Sequence, residues 1–101
     1  MGTLTYDSKL VATFDDRVLA HLQVVIWGKL RRGEQFAFTW NDPERSRQGR
    51  TSIWISPSIS LVFDYYGSKV PAVNPLWVEA LSKAANSPAG LQLVPEPSPP
   101  G

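Results

Sequence analysis

Three arginines in one short polar stretch are the residues whose types and spacing best suit recognition chemistry. Arg45, Arg47 and Arg50 lie within WNDPERSRQGRTSIWI, between two apolar runs that each carry a tryptophan. Guanidinium groups bind phosphates and aromatic rings stack on bases, so this combination is typical of single-stranded nucleic-acid binding. Asp42 and Glu44 offset two of the three positive charges. The simpler alternative is therefore the solvated tip of a hairpin.

The strands that follow this stretch extend the same candidate site. In TSIWIS and ISLVFDYY, strand alternation puts Trp54, Val62 and Tyr66 on the face opposite the predicted core. Outward aromatic side chains also stabilise sheets through cross-strand pairs, so a structural role stays open. The predicted nucleic-acid site consists of Arg45, Arg47, Arg50, Trp54 and Tyr66, with single- or double-stranded DNA as the partner.

A second candidate surface lies on the helix predicted from DDRVLAHLQVVIWGKLRRGE. Val24 and Trp27 are three residues apart, so they are neighbours about a third of a turn from the core face. Tryptophan is enriched at protein interfaces because it has a large apolar body and one polar group. Ala20, Val24 and Trp27 therefore form a predicted interface for a homodimer or another protein. The equal alternative is that the sheet covers this side of the helix.

Catalytic groups are sparse. His21 is the only histidine and there is no cysteine, while a general base needs a partner within reach. Asp64, in the middle of a strand, is the first carboxylate to examine, but an enzyme built around Asp64 and His21 is the least favoured of three hypotheses. A zinc site would need three carboxylates beside one histidine, and phosphate-binding glycine motifs are absent. We predict no catalytic residue, metal or cofactor.

The hydrophobic periodicity predicts the elements that position these residues. A hairpin that turns at Asp7-Ser8 precedes a helix capped by Asp15, and three alternating strands then form a meander. Asn74 caps a second helix, and LQLV is a short last strand. The expected class is α+β in the order ββ-α-βββ-α-β, with a mainly antiparallel sheet and two helices on one face.

Length and charge limit the remaining possibilities. A chain of 101 residues fits one domain, which we place at residues 1–94, with 95–101 as a proline-rich, disordered tail. Ten basic and nine acidic side chains nearly cancel, so nucleic-acid binding would need a local patch. No signal peptide and no run of about 18 apolar residues is present. The expected location is the cytoplasm, without a membrane partner.

Four segments carry a resemblance to a known family: MGTLTYDSKLVATFDDRVLAHLQVVI, KLRRGEQFAFTWNDP, GRTSIWISPSISLVFDYYGS and WVEALSKAANSPAGLQLVPEP. Together they resemble a family of small actinobacterial proteins that often carry the label "ATP-dependent DNA ligase". Such a ligase attacks ATP with the lysine of a Lys-x-Asp-Gly motif, whereas the four lysines here begin KLVA, KLRR, KVPA and KAAN. The resemblance therefore implies an accessory module and not ligation by this chain alone.

These observations predict a small non-catalytic binding module. The first hypothesis is a nucleic-acid-associated accessory protein that uses the arginine stretch and the outward aromatic residues. The alternative is a protein-interaction module without nucleic acid, which acts as a homodimer or as a subunit of a larger complex. Salt dependence separates the two, because phosphate contacts weaken steeply with salt and apolar contacts do not.

Overall fold

The computed structural model describes residues 1–42 and 49–98. Its elements follow the predicted order and confirm the α+β class. They are β1 (Gly2–Tyr6), β2 (Leu10–Phe14), α1 (Asp16–Arg31), β3 (Phe36–Asn41), β4 (Arg50–Ile55), β5 (Leu61–Asp64), α2 (Pro75–Ala85) and β6 (Leu91–Gln92).

The strands divide between two three-stranded sheets, in the orders β2-β1-β5 and β4-β3-β6. Among the strand pairs of residues 1–42 and 49–98, only that of β3 with β6 is parallel. The predicted meander is wrong at β5, which pairs with β1 and places Asp64 opposite Thr3. A turn closed by Ile59 N–H on the Ser56 carbonyl redirects the chain after β4. The hydrogen-bonding edge of β1, which is otherwise open, then takes β5 as its third strand.

The hairpin turn and both helix N-caps form as the sequence predicts. Asp7 and Ser8 have positive φ angles of 53° and 58°, the conformation of a tight hairpin turn. The Asp15 carboxylate accepts a hydrogen bond of 3.0 Å from the Arg17 N–H at the start of α1, and Asn74 caps α2 through the Leu76 N–H. These side chains fix where each helix begins.

The core lies between the helices and the inner faces of both sheets. α1 contacts α2 and β1, and α2 contacts β3 and β6, so the helices join the two sheets. Phe38 is fully buried, and its ring lies 6.2 Å from Phe14 and 4.9 Å from Trp40 between centroids. Neither helix of the described residues is long and apolar enough to span a membrane.

The segment after β6 runs back across both helices. The Val94 carbonyl accepts from the Trp77 indole N–H at 2.9 Å. Glu96 forms an ion pair with Arg17 and accepts from the Asn74 side chain at 3.0 Å. The predicted boundary at residue 94, with a disordered tail from 95 to 101, stays a prediction, and residues 99–101 lie outside the described part of the chain.

Candidate functional site

The outward face of the second sheet carries two of the predicted nucleic-acid residues. On β4, Arg50 and Trp54 are exposed, whereas Ile53 and Ile55 are buried. Alternation in QFAFTW predicts Trp40 on the core face with Phe36 and Phe38, and alternation in TSIWIS predicts Trp54 on the opposite face. Both predictions are confirmed, because Trp40 is buried and Trp54 is 54 % exposed. Arg45 and Arg47 lie outside the described residues.

We call this surface the outer sheet face, and it consists of three residues from each of two strands. The pairs are Ala37 with Trp54, Thr39 with Ser52, and Asn41 with Arg50. The Thr39 and Ser52 hydroxyls lie 2.7 Å apart, and the Trp54 indole N–H donates to Gln35 at 3.0 Å. The face combines one cation, one aromatic plane and a row of small polar groups. It can stack a planar group on Trp54 and bind an anion at Arg50.

Tyr66 is not part of the outer sheet face. It is 85 % exposed, and its backbone N–H donates to Asp16 at the start of α1. Trp54 instead borders a hollow that also contains Lys29, in the last turn of α1. Asp16 and Lys29 are about 20 Å apart along the helix axis. The shared face predicted for Trp54 and Tyr66 is therefore not formed, and a binding role for Tyr66 stays a prediction.

The three predicted interface residues do come together on the outer side of α1. Val24 is 40 % and Trp27 46 % exposed, whereas Ala20 is buried next to the loop after β5. The Trp27 ring stands edge-on to Phe63 of β5, with centroids 5.8 Å apart. The first sheet therefore touches this side of α1 but leaves Val24 and Trp27 open to solvent.

A groove of about 360 Å³ adjoins these residues, and we call it the α1 groove. Its lining comes from Ala20, Gln23 and Val24 of α1 on one wall and from Tyr65, residues 67–71 and Val73 on the other. The second wall is held in place by polar contacts, since Tyr65 donates to Gln23 at 2.5 Å and Asp16 accepts from the Gly67 N–H at 2.9 Å. Burial, and then the charge of Asp16, raise the pKa of Tyr65 above its ordinary value.

The wall of the α1 groove is the feature that sequence reasoning missed. The composition of GSKVPAVNP predicts only a loop, yet its Val70 and Val73 are exposed beside the groove. Two valines three residues apart were the available signal, because single exposed apolar residues are common whereas contiguous exposed apolar patches mark interaction sites.

His21 is a structural residue. It lies one residue before Leu22 in the helical pattern, which predicts the edge of the buried face, but the structure buries it fully. Its Nδ1 donates to the Arg17 carbonyl at 2.7 Å, and its Nε2 accepts from the Asn74 N–H at 2.8 Å. Both ring nitrogens of His21 are therefore hydrogen-bonded to backbone atoms. Asp64 is exposed on β5, so the two residues of the least favoured enzyme hypothesis differ in their access to solvent.

Two carboxylates near the helix ends have pKa values well below the usual glutamate value, and in both the cause is a structural hydrogen bond. Arg32, and then Lys29, lower the pKa of Glu34 to about 2. Arg17, and then Asn74, lower the pKa of Glu96 to about 2. Because these pKa values are depressed in the folded state, the stability that the two carboxylates contribute is present above the usual glutamate pKa and is lost as the pH falls toward 2.

Within residues 1–42 and 49–98, no three histidine or carboxylate side chains lie close enough together to hold a metal ion. Two surfaces are candidates for noncovalent contact, the outer sheet face and the outer side of α1. The two surfaces differ in character, since the first is polar with one cation and the second is apolar.

Comparison with known proteins bears on the whole chain and not on one surface. No curated protein and no solved structure matches it. A family model described as a domain of unknown function, DUF7882, matches residues 1–96. The match covers both sheets, both helices and the segment that reaches Glu96, and the chain therefore belongs to the DUF7882 family.

Proposed function

We propose that this chain is a small non-catalytic binding module that associates with protein through the outer side of α1, as a homodimer or as a subunit of a larger complex. The observation that carries the proposal is the α1 groove beside two exposed apolar side chains, Val24 and Trp27. Tryptophan residues at the centre of an interface are frequent hot spots, whose truncation costs 2 kcal/mol or more.

The rigidity of the groove also supports this function. Gln23 and Asp16 of α1 hold the opposite wall through Tyr65 and Gly67, so the cavity exists before a partner arrives. A preformed groove saves the entropy of ordering a loop on binding, and more of the contact energy then appears as affinity. The apolar lining favours an apolar side chain as the group that enters it.

Sedimentation of Trp27→Ala tests this function. We expect the wild-type chain to have a native mass above that of the monomer, either when purified or in an extract of its source cells. Trp27→Ala should weaken that association by about 30-fold, the equivalent of a hot-spot loss.

Trp54→Ala is the matched control, because it removes a similarly exposed tryptophan from the other surface. Its native mass should equal that of the wild type. A monomeric mass for the wild type in both settings, or an equal loss of association in both variants, would reject the proposal.

A second candidate function is contact with nucleic acid through the outer sheet face. Trp54 and Arg50 are both exposed there, and none of the six residues that form this face is acidic. Arg45 and Arg47 precede Arg50 closely in the sequence. The resemblance to proteins labelled as DNA ligases adds support for an accessory role, since the lysine motif of ligation is missing.

Fluorescence polarisation with single- and double-stranded oligonucleotides at two salt concentrations tests this second function. Trp54→Ala should weaken binding by roughly 1–3 kcal/mol if a base stacks on the indole. Arg50→Ala should weaken it and reduce the salt slope by about one, as expected for one lost phosphate contact. Trp27→Ala serves as the control and should bind like the wild type. Absence of binding at low salt would exclude this function.

A further inference from the structure

We propose that the partner of α1 is a second copy of this chain, paired antiparallel across a two-fold axis near Val24, so that Trp27 of each copy enters the α1 groove of the other. This inference rests on the proposed function, because it names the occupant of the same surface. It follows from the position of the groove along α1, from the space over Gly28 and from the charges at the two ends of the helix.

The α1 groove and Trp27 lie on the same side of α1. The groove residues Ala20 and Gln23 precede Val24 in the helix, and Trp27 follows it. Gln23 and Trp27 are one helical turn apart and project about 40° from each other around the axis. Both face the elements that follow β4, because Gln23 bonds with Tyr65 and Trp27 touches Phe63. The exposed tryptophan and the cavity are therefore neighbours along one helix face.

A two-fold axis converts this arrangement into a self-complementary one. In an antiparallel pair of identical helices, a residue that follows the axis faces the residue that precedes it by the same distance on the same side. Trp27 is three residues after Val24, and the groove residues Ala20 and Gln23 precede Val24. Each Trp27 would thus face the groove of the other copy, and both contacts form at once.

Gly28 gives the helices room to approach. A Cβ atom built on Gly28 meets no other described atom within 4 Å, so packing inside the chain does not require a glycine there. A glycine within a helix costs about 1 kcal/mol relative to alanine. Helices pack more closely where small residues lie at the contact, and Ala20 and Gly28 lie one turn on either side of Val24.

Charge favours the antiparallel over the parallel orientation. α1 has Asp16 in its first turn and Arg31 in its last turn, and Glu96 adds a second carboxylate at the first end by pairing with Arg17. An antiparallel pair places Arg31, seven residues after Val24, opposite the Arg17–Glu96 ion pair, where Glu96 offsets the charge of Arg17 and Asp16 is the next carboxylate. It also opposes the helix dipoles favourably. A parallel pair would place the two Arg31 side chains together.

Disulfide trapping distinguishes these arrangements, because the chain contains no cysteine. Val24→Cys places a thiol near the proposed axis and should give a covalent dimer on mild oxidation, since facing Cα atoms within about 7 Å can be bridged. Arg31→Cys should not, because an antiparallel pair separates its two copies by about 20 Å along the helix. Val62→Cys, exposed on β5, is the control for random collision.

The outcomes separate this inference from the proposed function. A dimer by sedimentation, trapped at Val24→Cys but not at Arg31→Cys or Val62→Cys, supports the pairing. A dimer that Val24→Cys does not trap, or that Arg31→Cys traps equally well, overturns the pairing and leaves the proposed function intact. A purified chain that stays monomeric also overturns the pairing. In that case the proposed function stands only if a larger complex in the extract is lost in Trp27→Ala.

Discussion

Replacing His21 with alanine is expected to lower the free energy of unfolding by roughly 3 kcal/mol. The imidazole is fully buried, and its Nε2 is the acceptor for the Asn74 N–H. Removing it leaves a buried donor without a partner, which costs about 1–3 kcal/mol. The ring also lies against Trp77, with centroids 4.5 Å apart, so its loss opens a cavity beside α2.

Equilibrium denaturation at low protein concentration measures this effect without a contribution from self-association. Arg31→Ala is the control, because it changes an exposed residue of the same helix and should alter stability by at most about 0.5 kcal/mol. A decrease in the free energy of unfolding below about 1 kcal/mol for His21→Ala would show that the hydrogen bond between His21 of α1 and the Asn74 N–H is not formed as described. The prediction concerns stability alone, since neither ring nitrogen is available for chemistry.

Alanine at Gly90 is expected to destabilise the protein by roughly 2–4 kcal/mol, through backbone strain and a steric clash. Gly90 has a φ angle of +82°, which disfavours every residue with a side chain. A Cβ there would lie 2.7 Å from the Ala37 carbonyl oxygen of β3. Because the obstacle is backbone, β6 must move away from β3, and this disturbs the fully buried Leu91.

The same substitution at Gly28 should have the opposite sign. There the Cβ meets open space, and alanine is the better helix former by about 1 kcal/mol. Denaturant titration of the two variants at low concentration compares one chemical change at two positions. Equal destabilisation of both would mean that the approach of the Gly90 turn to β3 is not the cause.

The parts of the fold that the sequence predicts are those that depend on neighbouring residues. The caps at Asp15 and Asn74 and the turn at Asp7-Ser8 each rest on hydrogen bonds within a few positions. Strand parity likewise predicts that Trp40 is buried and Trp54 exposed. These features follow from local stereochemistry, so one sequence is enough to find them.

Features that depend on distant contacts were not predictable in this way. The alternation of β5 fits a pairing with β4 as well as one with β1, because side-chain parity does not specify the neighbour. That ambiguity put Tyr66 beside Trp54 in the prediction and at the start of α1 in the structure. The burial of His21 depends in the same way on Asn74, which is remote in sequence.

The two candidate surfaces do not compete for the same side of the molecule. The inner face of the second sheet packs toward the helices through Phe36 and Phe38, so its outer face points away from the core. Association through α1 therefore leaves Arg50 and Trp54 exposed. If both functions hold, a dimer would present two outer sheet faces, and linked sites gain avidity when one ligand can span them.

The pairing of β5 with β1 also determines the order in which the first sheet can assemble. β1 and β2 form a local hairpin. The second edge of β1 stays unpaired until β5 docks on it and places Asp64 opposite Thr3. Closing so long a segment costs entropy before any new hydrogen bond forms. In that interval β1 presents an unpaired edge that matches β5 of any copy of the chain. We therefore expect strand exchange between refolding chains at this edge to compete with correct folding.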